Sequence, residues 1–470
     1  MATISAMADL ARGYDAVNLV ADPLHGYIKI TKRSASGDVA AEQDLLDDPW
    51  LQRLRRIHQL QSAWWVFPSA EHSRFQHALG AMHLAGEWAR HVYPNLRLVA
   101  PDAPSAACVE ETLRVAGLLH DVGHGPFGHF FDQNYLDRFG SDHEVIGRQL
   151  ILGPLAVVIR ALQSSPAGPF EPGERIDPRW VGELIAEDPL PGPAPPRWIR
   201  LLKPILCGTY TVDNLDYVPR DAYMCGVAVG PVDVARLLHY TFLGEEGMLL
   251  HQHGTQALLM FLNARLYLYN NLYFHRTVRR IDLHMREIFR ETIDQLLPGD
   301  PLAHLDAYQA LTDWSLIESV TRWRQGAGRL RELGLEWERI VRRELKWRMI
   351  FEDYSEISEM PAGFPPQPAR VEAILRAQLP ADLRDASLVV DVASVDPRPQ
   401  NPLQDRGAVR IYNPMSRAIE SSEVADLFRR LPIRTTLLRV FTADAARAEV
   451  LRHAVEGVLY RRDVLVGQAG

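Results

Sequence analysis

At 470 residues the chain has room for one large domain and a smaller one, and 47% hydrophobic with 23% charged residues is ordinary for a globular protein. A net charge of -8 argues against a surface built to hold nucleic acid, which needs a basic surplus, while leaving room for a local basic pocket. No apolar run approaches the ~20 residues that span a bilayer, and the opening MATISAMADLARGYDAVNL lacks the apolar stretch of a secretory signal, so neither membrane nor export is expected. Cys108, Cys207 and Cys225 lie far apart with no CxxC pair, which speaks against disulfides or a thiolate zinc site and fits a reducing cytoplasm.

Amphipathic helical spacing fills residues 40 to 155, carried by DLLDDPWLQRLRRIHQL, SRFQHALGAMHLAGEWARHV and CVEETLRVAGLLH, with Pro and Gly between them. From about 163 to 198 the chain is rich in Pro and Gly and reads as a loop insertion with one short helix, Trp180 to Ala186. Helical patterning resumes near Trp198 and continues to about Asp353. Its longest run is LMFLNARLYLYNNLYFHRTVRRIDLHMREIFRETIDQLL. Past residue 360, PAGFPPQPARVEAIL opens a helix behind a Pro-rich joint. SLVVDVAS (387–394), AVRIYN (408–413) and RTTLLRVF (434–441) are β-branched and flanked by turn signals, as strands are. The expectation is a mainly α protein, with a helical domain over 1–355 and a small α+β lobe over 356–470. No internal repeat is visible.

Nine of the 17 histidines fall between His58 and His143. In GLLHDVGHGPFGHFFD (117–132) an apolar helix ends at His120 and Asp121, stopped by Gly123, Gly125 and Pro126. An imidazole beside a carboxylate on a rigid helix end suits a divalent cation. Imidazole favours Mn, Fe, Co, Ni or Zn, and the carboxylate keeps Mg among the choices. A lone His-Asp dipeptide arises often by chance, so its companions matter. In SRFQHALG (73–80), Arg74 and His77 are three apart and share a helix face. His77 can complete a set with His120 and Asp121, which leaves Arg74 for a phosphate; a hydrogen-bonded core histidine has the same pattern. In VDNLDYVPRDAYMCGV (212–227), Asp213, Tyr217 and Asp221 stand at i, i+4 and i+8 and point one way on a helix, as a plain solvated face also would. His129 lies three residues before Asp132, an arrangement that suits a general acid held by a carboxylate. Glu144 follows His143 and can steady it, although DHE at a helix start is also an N-cap.

In chain order His77, His120 with Asp121, and Asp213 form the H…HD…D series of the HD phosphohydrolase superfamily. The chain resembles its dNTP triphosphohydrolase branch well beyond four residues. DPLHGYIKI (22–30), DDPWLQRLRRIHQL (47–60), WWVFPSAEHSRFQHALG (64–80), GLLHDVGHGPFGHFFD, DHEVIG (142–147) and DNLDYVPRDAYMCGV occur in that branch's order, as do VVDV and NPMSRAIESSEV further on. The similarity runs from about residue 18 to 460, to bacterial members and to the vertebrate SAM-and-HD enzymes, with no sign of the SAM domain.

The resemblance implies hydrolysis of a deoxynucleoside triphosphate to deoxynucleoside and inorganic triphosphate, by attack of water on the α-phosphorus. It implies a divalent metal at His77, His120, Asp121 and Asp213, with a second metal on fewer protein ligands allowed. His129 would act as general acid with Asp132, and His124 and His143 would line the phosphate site. Arg74 and Tyr217 would hold phosphate oxygens, Gln59 and Leu60 would meet the sugar, and Asp221 would check its hydroxyl. On the long helical run, Arg265, Tyr269, Leu272 and Arg276 recur at i, i+4 and i+7 spacing, and Arg276 would border the substrate; aromatic stripes also build cores. Asp47, Gln52 and Arg55 are counterparts of residues that read an activating guanine nucleotide. A homo-oligomer, dimer or tetramer, is implied by likeness alone.

The match frays at three places. Asn214 stands where the vertebrate enzyme grips the triphosphate with lysine, and a neutral amide forfeits a charge-assisted contact. Tyr269 and Thr277 stand for an arginine and a tyrosine on the long helix. Asn18 and Ala21 stand for the lysine and asparagine that hold the effector. Two other functions remain open: a nucleotidase or other phosphomonoester or diester hydrolase on the same metal site, and a catalytically silent nucleotide or nucleic-acid binder.

Overall fold

The chain's first described element is an antiparallel hairpin, β1 (Val17–Asp22) and β2 (Gly26–Thr31), in register from Val17↔Thr31 to Asp22↔Gly26. Asp22 Oδ1 accepts from the backbone N–H of Leu24 and His25 and closes the turn, and Gly26 takes the left-handed φ of +72° that follows it. These details come from a computed structural model that describes residues 16–33, 39–357, 367–395, 409–421 and 434–460. The N-terminal segment read as no signal, most of the Pro-rich joint before residue 367, and the end of NPMSRAIESSEV lie outside the described residues.

Two helices form the heart of the molecule. The first is α1 (Arg74–Val99), entered through a capping box between Ser73 and Gln76; the second is α2 (Ala106–Leu119), capped by Ser105. They cross closely because small residues meet there: a Cβ on Gly117 would lie 2.8 Å from the Ala81 carbonyl oxygen and 3.1 Å from Ala85 Cβ. That contact lies one turn from His77 on α1 and three residues from His120 on α2, so the crossing itself draws the two histidines together. Short helices α3 (His129–Asn134) and α4 (His143–Leu152) follow the loop after α2. Helix α5 (Val212–Cys225) starts at Thr211, whose hydroxyl accepts from Asn214 N–H while Asn214 Oδ1 accepts from Thr211 N–H at 2.8 Å.

The helical run expected from Trp198 to Asp353 is interrupted twice. Residues 241–251 form a hairpin, β3 (Thr241–Gly244) and β4 (Gly247–His251), and the far end of the run is a ten-residue strand, β5 (Arg348–Ile357). The longest run also divides. Helix α6 (Thr255–Leu268) passes into a π-turn at Tyr269–Tyr273, and α7 (Arg276–Asp294) starts afresh behind His275. The insertion helix spans Pro178–Ile185, capped by Asp177, against the expected Trp180 to Ala186.

After residue 367 come α8 (Pro368–Gln378), β6 (Leu388–Val395), β7 (Arg410–Asn413), β8 (Ala418–Ser421), β9 (Arg434–Thr442) and α9 (Ala448–Leu459). Strands β5, β9 and β6 make one antiparallel sheet with β9 central, and its inward residues pack with α8 and α9 around Leu375, Val440 and Leu451. The order of the second sheet is β8-β7-β4-β3, with β7 parallel to β4, and Ile411 of β7 is buried in the main helical core. The boundary expected at 355/356 thus falls inside β5, and β7–β8 join a sheet that begins in the helical part. The molecule is mainly α, with its strands concentrated toward the C-terminus. Among the described residues no helix is long and apolar enough to cross a membrane.

Candidate metal centre and active site

His77, one turn into α1, is fully buried. Its Nδ1 lies 2.8 Å from Asp216 Oδ2, so the ring N–H points there and Nε2 carries the lone pair. His120 caps α2 and donates from Nδ1 to the Gly117 carbonyl at 2.7 Å, which leaves its own Nε2 as a lone pair. Those two Nε2 atoms face each other at 3.1 Å, and Asp213 Oδ1 from α5 stands 3.0 Å from the first and 3.6 Å from the second. Asp121 adds a carboxylate at the edge, Oδ2 3.9 Å from His77 Nε2 and Oδ1 3.4 Å from His120 Nε2. His77, His120 and Asp213 form a group with metal-ligand spacing.

The donor set fits a cation. Bonds of about 2.1 Å place neighbouring ligand atoms about 3.0–3.4 Å apart, close to the separations seen here. Two imidazole lone pairs and a carboxylate oxygen aimed at one point also repel unless positive charge lies among them. The carboxylates around this point favour positive charge there, whether a proton or a metal cation. Burial pushes the His77 imidazolium down, but Asp213 and Asp216 outweigh it and lift its pKa to about 10. Burial likewise works against His120, and Asp121 and Asp213 raise it.

A second group lies alongside: His124, His129, Asp132 and His143. Asp132 Oδ2 sits 2.7 Å from His143 Nδ1, 3.3 Å from His129 Nδ1 and 3.8 Å from His124 Nδ1. Burial pushes the Asp132 carboxyl up, yet the bonds from His129 and His143 more than offset it and keep it ionised. His124 stacks on His143 with ring centroids 3.7 Å apart and bridges the groups, its Nε2 3.3 Å from Asp121 Oδ1. Burial, with Arg74 and His143 adding to it, holds His124 well below its ordinary pKa. Only His129 opens outward, its side chain 61% exposed.

Arg74 is buried and pairs with Asp121 Oδ2 through Nη1 at 2.6 Å, while its Nε has no partner. Its guanidinium lies over Gly128, where a Cβ would come 2.2 Å from Nη2. Gln59 lends its carbonyl to Arg74 at 3.5 Å and keeps a buried, unpaired Oε1; Leu60 is buried beside it. Tyr217 stands edge-on to His77 at 6.4 Å. Asp221 is buried, with His72 Nε2 on one oxygen at 2.8 Å and the Tyr273 hydroxyl on the other at 2.6 Å. Arg276 is exposed in the first turn of α7, and Leu272 is core. The π-turn shifts the helical phase, so the stripe Arg265, Tyr269, Leu272, Arg276 does not share one face. Asn214 spends its amide oxygen on the Thr211 cap, and Thr277 N–H donates to the His275 ring that caps α7. Asp47 pairs with Arg33 at 3.0 Å, and Arg55 donates to Gln52, which in turn holds the Leu46 carbonyl.

Residues 74–155 match the HD domain family and residues 232–462 the HD associated region. Deoxynucleoside triphosphate triphosphohydrolase SAMHD1 of Gallus gallus is 26% identical over 76% of this chain and 60% of that protein, and the Homo sapiens SAMHD1 is 37% identical over 26% and 18%. The chain carries an HD domain and its associated region. YwfO of Bacillus subtilis, itself uncharacterised, is 29% identical over 57% of this HD chain. The chain spans 54%, 58% and 54% of the first three curated relatives it matches, little more than half of each. A crystal structure of a hypothetical protein from Aquifex aeolicus covers 93% of this chain and all of its own, with TM-score 0.70 at 24% identity, and shares the fold.

Asp216, His25 and His72 escaped the reading of the sequence as site residues of this HD protein. Asp216 falls off the i, i+4, i+8 stripe of Asp213. Its one local signal is the i, i+4 pairing with Arg220, which an ordinary surface salt bridge shares. His25 lies 191 residues from its partner Asp216, and His72 lies 149 from Asp221, separations no local pattern reveals.

Proposed function

We propose that this HD protein hydrolyses deoxynucleoside triphosphates to deoxynucleoside and inorganic triphosphate on a divalent cation held by His77, His120, Asp121 and Asp213. The observation that carries the reading is the opposed pair of Nε2 lone pairs with the Asp213 carboxylate beside them. When bound there, a divalent cation supplies Lewis-acid polarisation of a phosphate oxygen and eases deprotonation of water. The chain's own groups then have separate tasks. Arg74 and His124, each with an unpaired buried nitrogen beside Asp121, offer donors to phosphate oxygens. His129, exposed and braced by Asp132, delivers a proton to the leaving 5′-oxygen. His143 shares Asp132 and keeps that carboxylate in place. Asp221, fixed from both sides, presents a rigid acceptor for a sugar hydroxyl, and Tyr217 borders the same space.

A nucleotidase reading draws on Asn214, whose amide is spent on a helix cap where a triphosphate grip would need a charge. Both readings meet one experiment. Purified protein with Mn, Mg or Co is offered dNTPs, NTPs and nucleoside monophosphates, singly and in mixtures, and products are resolved by ion exchange. Inorganic triphosphate with free deoxynucleoside is the expected result. Orthophosphate or pyrophosphate would replace the proposal with the nucleotidase reading, and turnover that appears only in mixtures marks an activating nucleotide. Asp213→Ala is expected to lose bound metal and turnover while its circular dichroism stays native; undiminished activity would remove it from the site.

A further inference from the structure

We infer that the turn of the N-terminal hairpin is a working part of the metal centre: His25, with Arg220 and through Asp216, fixes the His77 ring and thereby sets cation affinity. The inference rests on the metal-centre reading above and extends it to residues that touch neither cation nor substrate. Asp216 is fully buried and both its oxygens are taken. Oδ2 accepts from His77 Nδ1 at 2.8 Å and from Arg220 Nε at 2.8 Å; Oδ1 accepts from His25 Nε2 at 2.6 Å and from Arg220 Nη2 at 2.9 Å. Held on both oxygens by His25 and Arg220, Asp216 can only accept from His77 Nδ1, so it keeps the ring proton there and turns Nε2 toward the cation position.

Space is reserved for this arrangement. Gly80, three residues beyond His77 on α1, faces the carboxylate so closely that a Cβ would lie 1.9 Å from Asp216 Oδ1 and 2.5 Å from Arg220 Nη2. The hairpin is fastened at two points. His25 reaches Asp216 directly, and Asp22, whose other oxygen closes the turn, accepts from Arg220 Nη1 at 2.9 Å. On its outer side the hairpin shows exposed Leu19 and Tyr27. A shift of β1–β2 therefore moves the group that orients a metal ligand. His25, Arg220 and Asp216 are positioning residues.

The test measures metal affinity apart from turnover. Mn and Co binding to the full chain is titrated by competition with a chelating dye, and the absorption spectrum of the Co-loaded protein is recorded. Asp216→Asn is expected to weaken binding about 10- to 100-fold. His25→Ala is expected to weaken it several-fold and shift the Co spectrum, and His25→Gln, which keeps an N–H donor, to restore most of the loss. Should Asp216→Asn fail to fold, the two His25 variants carry the test. Wild-type affinity and an unshifted spectrum in His25→Ala would overturn the hairpin's role alone. A wild-type chain that binds no divalent cation would overturn the metal-centre reading itself.

Discussion

Asp313 ties an aromatic wall to the loop that presents the second histidine group. Its Oδ2 accepts from the His58 N–H at 2.8 Å and lies 2.9 Å from His58 Nδ1, and its Oδ1 accepts from Phe127 N–H at 2.8 Å. Phe127 has a left-handed φ of +62°, and Gly128 follows at +54°. A bulky residue there is strained, and the buried carboxylate is what holds it. Burial disfavours the His58 cation, but Asp313 and then Glu71 overcome this, so its pKa is raised in the folded protein. A raised imidazolium contributes stability that is complete below the ordinary histidine pKa of about 6.5 and is lost as pH rises through the folded value. The melting temperature lost in His58→Gln is therefore expected to be larger at pH 6 than at pH 9. Equal losses at both pH values would show that His58 stabilises by packing alone. At this scale the candidate ligands could be picked out because His-Asp on an apolar helix end is a local signal. His58, quoted in the sequence only as part of a motif, depends on a partner 255 residues away.

Helix α4 is placed by backbone, and that contact has a sharp consequence. A Cβ on Gly123 would lie 2.0 Å from the His143 carbonyl oxygen and 2.5 Å from Gly147 N, atoms of the chain that cannot swing aside. Gly123→Ala is expected to push α4 outward, pull His143 from Asp132, and cost about 1–3 kcal/mol. Gly457→Ala on α9 is the control: nothing lies within 4 Å of its Cβ, so it should be neutral or stabilise by up to about 1 kcal/mol. Thermal unfolding of both variants checks the pair, and a harmless Gly123→Ala would mean that the contact yields. Elements with strong period were legible, which is why α1, α2, α5 and the strands β6, β7 and β9 fall where pattern put them. The hairpin β3–β4 was missed although Gly244-Glu245-Glu246-Gly247 between two short apolar runs is a turn signal. The break at Tyr269–Tyr273 was invisible, because a π-turn adds a residue without interrupting the apolar pattern.

Across the whole molecule, a largely buried ion pair spans the joint between helical core and C-terminal sheet, beside the apolar contact of Leu283, Trp347 and Phe441. Arg279 of α7 donates to both oxygens of Asp391 on β6, with Asp282 also beside it, and Asp391 is 4% exposed. Burial works against the arginine cation, and the bonds and charge of Asp391 more than restore it, so the guanidinium stays charged. In the sequence the two parts look separate because a Pro-rich joint and a change from helical to strand patterning divide them, and nothing local marks either charge as buried; only the tertiary fold brings them together. Removing one partner strands the other charge in a dry contact, which costs about 3–5 kcal/mol, whereas replacing both with apolar groups of similar volume is often neutral. Arg279→Ala is thus expected to lower the melting temperature markedly, and Arg279→Met with Asp391→Leu to recover most of that loss. Calorimetry reads more than the midpoint here. If the sheet of β5, β9 and β6 depends on this joint, Arg279→Ala should split one transition into two, with the C-terminal core around Leu375 and Val440 melting first. A single transition shifted by less than about 1 kcal/mol would mean that the strands shared through β4 and β7 hold the two parts together without the ion pair.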